Sequence, residues 1–198
     1  MKNQIKITIA ALVLTSFAFE GCKKGENDPA ISLHSRKARV AGDWEVVSYK
    51  MSSVNNYPSN PSQNSSATYT LNGSTYTYVS TDASGTDYSY GTDLREYTFE
   101  KNGTYDFTQT QDGIRTASKG TWNFTSGVGD LKNKSQISLY EQQSTNSSGS
   151  YTWTGNYVDA AFDLKELRKD KMVWYYKSSS SSFNGNTSYE VEIEFEPK

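Results

Sequence analysis

The sequence predicts an all-β domain, an antiparallel up-and-down barrel of about eight strands, and three observations carry that prediction. Tyr189, Val191, Ile193 and Phe195 alternate with Glu190, Glu192, Glu194 and Glu196 near the end of the chain. A period of two gives a strand one buried and one wet face. Asn102-Gly103 falls between the alternating runs Leu94, Tyr97, Phe99 and Tyr105, Phe107, and Asn-Gly in that position is the strongest short-range hairpin signal. Past the first apolar run no stretch shows a helical apolar period. The composition, 34% hydrophobic and 14% aromatic, calls for a small aromatic core of the kind half-wet strands provide. A β-sandwich would give a similar pattern and stands as the alternative.

The chain opens with a different signal. Lys2 and Lys6 flank the start of an apolar run over residues 7–19, which is too short to span a bilayer comfortably and too close to the start to be a fold element. It ends at Phe19-Glu20-Gly21-Cys22, which resembles a bacterial lipobox, with small Gly21 before the only cysteine of the chain. Residues 1–21 are expected to be a lipoprotein signal peptide and Cys22 the site of lipid attachment. An acylated Cys22 leaves no thiol for a disulfide, a nucleophile or a metal, and several acyl chains anchor more stably than one. Lys23 and Lys24 rather than Asp follow Cys22, so the expected location is the outer membrane, at its periplasmic face or at the cell surface.

Residues 22–40 are polar and charged and are expected to be a flexible tether. They hold His34, the only histidine, so the domain itself offers no imidazole for a metal site or a Ser-His-Asp triad. The chain carries 20 basic and 22 acidic residues. Loss of Lys2, Lys6 and Glu20 with the signal leaves a net charge of −3, and neither that balance nor any basic stripe suits nucleic acid.

The domain is expected over residues 41–198. Gly42-Asp43-Trp44 opens its first strand, continued by Val46, Val47 and Tyr49. Pro58 and Pro61 exclude regular structure in the Ser/Asn-rich stretch that follows. Residues 68–80 alternate loosely around Tyr69, Leu71, Tyr76 and Tyr78, and Tyr88 and Tyr90 come after a turn at Ser84-Gly85. We read residues 51–93 as a Tyr/Ser-rich insert outside the main strands. Further turns are expected at Gln111-Asp112-Gly113 and at Lys119-Gly120, followed by strands around Trp122 and Phe124 and around Ile137 and Leu139. Extended chain from 151 to 167, with a break near Gly155-Asn156, leads to a charged turn at 168–171. Met172, Trp174 and Tyr176 then mark the strand before the last.

Gly42-Asp43-Trp44 resembles the Gly-x-Trp signature of lipocalins and other calycins. Residues 97–105, Tyr97-Thr98-Phe99-Glu100-Lys101-Asn102-Gly103-Thr104-Tyr105, are similar to the second-to-third strand hairpin of lipocalin-like lipoproteins of Bacteroidetes-type bacteria. So are Phe162-Asp163-Leu164-Lys165-Glu166-Leu167 and Asp170-Lys171-Met172-Val173-Trp174. The resemblance implies an eight-stranded barrel, open at one end, with a lid after the first strand and Trp44 as a plug at the base. The final strand lacks the Arg that lipocalins often lay over that Trp.

The expected function is non-catalytic: binding of a small, partly apolar molecule in the barrel cavity by a lipid-anchored monomer. Tyr105, Phe107, Trp122, Phe124, Trp153, Trp174 and Tyr176 are the expected lining, because ligand pockets are mostly apolar and aromatic. The alternative is a surface module that binds glycan or protein through Tyr57, Tyr69, Tyr76, Tyr78, Tyr88 and Tyr90, since Tyr with Ser, Gly and Asn makes adaptable binding loops. No enzyme constellation stands out: Asp159, Asp163 and Glu166 offer carboxylates without a catalytic spacing. No zinc, calcium or phosphate-loop motif is present, and no cofactor is expected.

Overall fold

A computed structural model describes residues 35–126, 135–146, 149–182 and 185–198, as backbone only at 126, 135 and 150–160. The signal segment, Cys22 and His34 lie outside the described residues.

The chain enters the domain through a five-residue helix, Arg36–Val40 (α1). Ser35 caps it by accepting a hydrogen bond from the Ala38 N–H at 3.1 Å, which satisfies one of the orphan donors of the first turn. Val40 is fully buried, and the buried Arg39 guanidinium donates to the Leu167 carbonyl. The expected tether therefore stops short of residue 40, and its last turn is part of the packed domain.

Ten strands follow: Gly42–Asn56 (β1), Ser65–Asn72 (β2), Thr75–Asp82 (β3), Gly85–Phe99 (β4), Thr104–Gln111 (β5), Ile114–Ser126 (β6), Ser135–Asn146 (β7), Gly149–Leu167 (β8), Met172–Ser182 (β9) and Gly185–Pro197 (β10). Each pairs with the next and β10 closes on β1, which makes a closed antiparallel barrel. The barrel is as expected; the strand count is ten rather than eight. The Tyr/Ser-rich segment is not an insert outside the barrel, because it builds the end of β1, all of β2 and β3, and the first half of β4. β1 pairs directly with β4 over Gly42 to Glu45 and diverges above that to pair with β2 from Ser48 to Asn55. The β2–β3 hairpin is thus wedged between β1 and β4. The ring has eight strands at its base and ten above it.

Two local expectations change for physical reasons. Asp112 (φ 50°) and Gly113 (φ 83°) form the expected hairpin turn, both residues being in the left-handed region that such turns require. Lys119-Gly120 is no turn: Gly120 is buried inside β6, where a Cβ would meet the Tyr140 carbonyl oxygen at 2.0 Å. Glycine is there to let two backbones approach. Similarly, β8 runs unbroken past Gly155-Asn156, and it is the ladder with β7 that changes register, from Glu141↔Tyr157 to Gln143↔Thr152.

The core fills the eight-stranded end. Trp44, Val46, Phe99, Trp122, Leu167, Met172, Trp174 and Phe195 are all buried there, and each such side chain removed from water is worth about 1.5–3 kcal/mol. A bulge between Val46 and Ser48 turns both Val46 and Tyr49 inward. On β10, Val191, Ile193 and Phe195 are buried as expected, whereas Tyr189, at the far end of the same face, is 37% exposed. Its glutamates face outward, Glu192 to Lys165 at 2.7 Å and Glu194 to Lys171 at 2.6 Å.

Candidate functional site

The barrel interior changes character with height. At the base, aromatic rings touch one another at 4.6–6.2 Å, distances at which rings are in contact. Trp174 lies 4.6 Å from Phe195, 5.1 Å from Phe162 and 5.8 Å from Phe99, centroid to centroid. Tyr97 lies 4.6 Å from Phe107, Trp122 5.5 Å from Phe124, and Phe99 6.2 Å from Tyr105. Of the expected lining, Tyr105, Trp122 and Trp174 belong to the core itself, and Phe107, Phe124 and Tyr176 pack against it. The Trp153 side chain lies outside the described residues. The structure therefore brings the other six together as packing, ring against ring. The Trp44 and Trp122 indoles donate to the Val40 and Glu100 carbonyls at 2.8 and 3.1 Å. The buried Trp174 N–H has no hydrogen-bond partner among the described residues.

Above that floor, β4 carries charge into the barrel. Phe99 and Tyr97 pack into the base, and the next two positions on the same face are Arg95 and Asp93. Asp93 is 0% exposed. A buried carboxylate is costly unless its lone pairs are satisfied, and here three hydrogen bonds and an ion pair reach it. Tyr69 donates its hydroxyl at 2.5 Å, Arg95 donates Nε at 2.8 Å with its Nη2 2.7 Å away as an ion pair, and Gln109 donates Nε2 at 2.9 Å. Arg95 lies over the Tyr49 ring at 4.2 Å and the Tyr69 ring at 5.2 Å, within cation–π range. Its side chain keeps 16% of its surface exposed.

The titration of these groups follows from that packing. Burial, reinforced by the hydrogen bond to Asp93, pushes the Tyr69 phenol well above its ordinary value. Burial, followed by the charge and hydroxyl of Tyr49, pushes Tyr189 up to about 12. Burial alone would lower Arg95, but the hydrogen bonds and charge of Asp93 outweigh it and hold the guanidinium above its usual range. The shelf is therefore the Asp93–Arg95 ion pair beside two phenols, Tyr69 and Tyr189, that hold their protons more firmly than usual.

A cavity of about 280 Å³ adjoins the shelf, lined by Gln109, Gln111, Asp112, Ile114 and Thr116 of the β5–β6 hairpin. Gln109 belongs to both, lining the cavity and donating to Asp93. Asp112 fixes its outer end by accepting the Tyr76 hydroxyl and the Thr92 N–H, each at 2.8 Å. Residue 91 must be glycine for this, since a Cβ there would meet Asp112 Oδ1 at 2.1 Å.

Sequence reasoning missed Asp93, Arg95 and Gln109. One signal could have found two of them: Asp93 and Arg95 share the parity of Tyr97 and Phe99, so a charged pair continues a buried aromatic stripe. The tyrosines expected to form a binding loop separate in the structure. Tyr69 and Tyr76 are buried, whereas Tyr88 and Tyr90 are 72% and 85% exposed. Among the described residues, no group of three or more His, Cys, Asp or Glu is arranged to hold a metal ion.

Fold and site together define a closed antiparallel barrel with an aromatic floor and an ionic shelf above it. Comparison with protein-family models, curated proteins and solved structures finds no match to the chain.

Proposed function

We propose that this is a lipocalin-like, exported lipoprotein, anchored through Cys22 to the outer membrane. It binds one small, partly apolar molecule without transforming it, in the mouth of the barrel rather than among the aromatic rings first expected to line the site. The observation that carries this reading is the change from packed rings to the Asp93–Arg95–Gln109 shelf with a cavity above it. Ile114 gives the cavity an apolar wall and Gln109 and Gln111 give it amides, the mixture by which pockets hold and orient small molecules. The volume of about 280 Å³ limits the occupant to a small one. Asp93 orients rather than transfers protons, because its lone pairs are already engaged. The Gly42-Asp43-Trp44 entry, with Trp44 buried at the base, supports the lipocalin-like reading.

The experiment is a fluorescence titration with the neutral apolar probe N-phenyl-1-naphthylamine. We expect saturable binding to the purified protein and a loss of at least tenfold in affinity for Thr116→Phe, which fills the cavity. Absence of binding, or binding unchanged by Thr116→Phe, refutes the assignment. For the anchor, Cys22→Ala should release the folded protein from the membrane fraction; a variant that stays membrane-bound through a salt wash contradicts it.

A further inference from the structure

The rim of the barrel holds a second concave surface, away from the shelf. The loop between β1 and β2, residues 57–64, faces the turn between β3 and β4, and two cavities of about 440 and 620 Å³ lie between them. They share Asn55, Asn64, Ser65, Asp82 and Ala83, so they form one cleft. The loop is held in shape by its own contacts. Its Tyr57 ring lies against Gly185, where a Cβ would meet Tyr57 Cδ1 at 2.5 Å, and Pro61–Gln63 form a 3-10 turn.

Three polar side chains of this cleft, Asn64, Asn55 and Asp82, are held by part of their hydrogen-bonding capacity and keep the rest for a ligand. Asn64 accepts the Tyr57 N–H through Oδ1 at 2.7 Å. An amide has two donors besides its oxygen, and those of Asn64 have no hydrogen-bond partner among the described residues. Asn55 is tied to the Ser65 hydroxyl at 3.1 Å through Nδ2, which leaves its carbonyl oxygen open. Asp82 uses Oδ1 to accept the Ser84 N–H and hydroxyl at 2.7 and 2.5 Å, and the Gly85 N–H also points to its carboxylate, which keeps further acceptor capacity on its exposed side. The Ser84 hydrogen bonds, with a smaller contribution from the Gly85 N–H, hold the Asp82 carboxyl below its ordinary range.

The result is a pre-positioned set of donors and acceptors within one cleft. Charge narrows the ligand class. Neither Lys nor Arg is among the residues that line either cavity, so a phosphate or carboxylate would meet no cation and would face Asp82. Apolar surface narrows it further, because only Val54, Pro61, Ala83 and the Tyr57 ring interrupt the amides and hydroxyls. A neutral ligand whose groups both donate and accept satisfies these constraints, and a sugar hydroxyl does both. We propose that the rim cleft between the β1–β2 loop and the β3–β4 turn is a binding site for a neutral saccharide, read by Asn55, Asn64 and Asp82. This site is separate from the mouth cavity, and its test is independent of the naphthylamine titration.

The test is saturation-transfer difference NMR on the purified protein, with glucose, galactose, N-acetylglucosamine, maltose and cellobiose as probes and glucose 6-phosphate as the anionic comparison. The expected result is transfer to the ring protons of at least one neutral sugar. Glucose 6-phosphate should bind more weakly than glucose, and Asn64→Ala and Asp82→Ala should each lower the affinity at least tenfold. Because Asn64 holds the loop, Asp82→Asn at the exposed turn serves as a second variant; it should weaken binding severalfold while the melting curve stays unchanged. Absence of transfer from every neutral sugar overturns the proposal. So does binding that persists at full strength in the Asp82 variants, or a preference for glucose 6-phosphate.

Discussion

Replacing Asp93 by Ala probes the feature that sets this barrel apart from a plainly filled one. The substitution removes a fully buried carboxylate and leaves behind the Arg95 guanidinium, the Tyr69 hydroxyl and the Gln109 amide, all of which donate to it. Breaking a buried ion pair from one side costs about 3–5 kcal/mol, because the remaining charge is left uncompensated. Arg95 retains 16% exposure, and water can recover part of that cost, so we expect a loss of about 3 kcal/mol, at the lower end. The assay is urea unfolding followed by tryptophan fluorescence. At a slope of about 2 kcal/mol/M, such a loss lowers the midpoint by about 1.5 M. The double variant Asp93→Leu with Arg95→Met removes both charges together and should be less destabilised than the sum of the single variants by at least about 1 kcal/mol. A loss under about 1 kcal/mol for Asp93→Ala, or strict additivity in the double variant, refutes the argument that these residues act as one buried unit.

Three further outcomes follow from the same geometry. Trp44→Ala should cost about 3–5 kcal/mol as a cavity at the barrel base, since Trp44 is buried and its indole donates to Val40; a urea midpoint unchanged within error contradicts this. The phenols of Tyr69 and Tyr189 titrate higher in the folded state than the ordinary value near 10, so above pH ~10 the unfolded chain loses these protons first. The stability they contribute is present below pH ~10 and is lost as pH rises toward about 12 for Tyr189 and higher for Tyr69. The urea midpoint should fall across that window, and less steeply in Tyr69→Phe; a flat profile contradicts it. Deleting residues 52–91 and joining the ends with a short Gly-Ser turn removes buried Tyr69, Leu71 and Tyr76 together with β2 and β3. It should abolish cooperative thermal unfolding, whereas a cooperative melt would show that the eight-stranded base folds alone.

Much of the barrel was legible in local pattern. β10 alternates apolar with Glu, and the β4–β5 and β5–β6 turns carry Asn-Gly and Asp-Gly, so their period and turn chemistry agree. β2 and β3 were harder to read because their inward residues, Tyr69, Tyr76 and Tyr78, alternate with threonines. Tyr and Thr both suit a half-wet strand, so the contrast between the two faces is small. Gly120 looked like a turn because a glycine in a strand and a glycine in a turn are the same letter; only the Tyr140 carbonyl pressed against it decides which. The shelf was hidden for a different reason. Charged residues on strands usually mark the wet face, and Asp93 and Arg95 are inside only because Tyr69 and Gln109, distant in sequence, come to meet them.

On the proposed reading, the base of the barrel is packed and a ligand sits at its mouth. A crystal structure of the protein with bound N-phenyl-1-naphthylamine tests it most directly. Probe density is expected above the Arg95–Asp93 pair, against Gln109, Gln111 and Thr116, with the rings of Phe107, Trp122 and Trp174 unmoved. Density inserted among Phe107, Trp122 and Trp174, with those rings displaced, would contradict it.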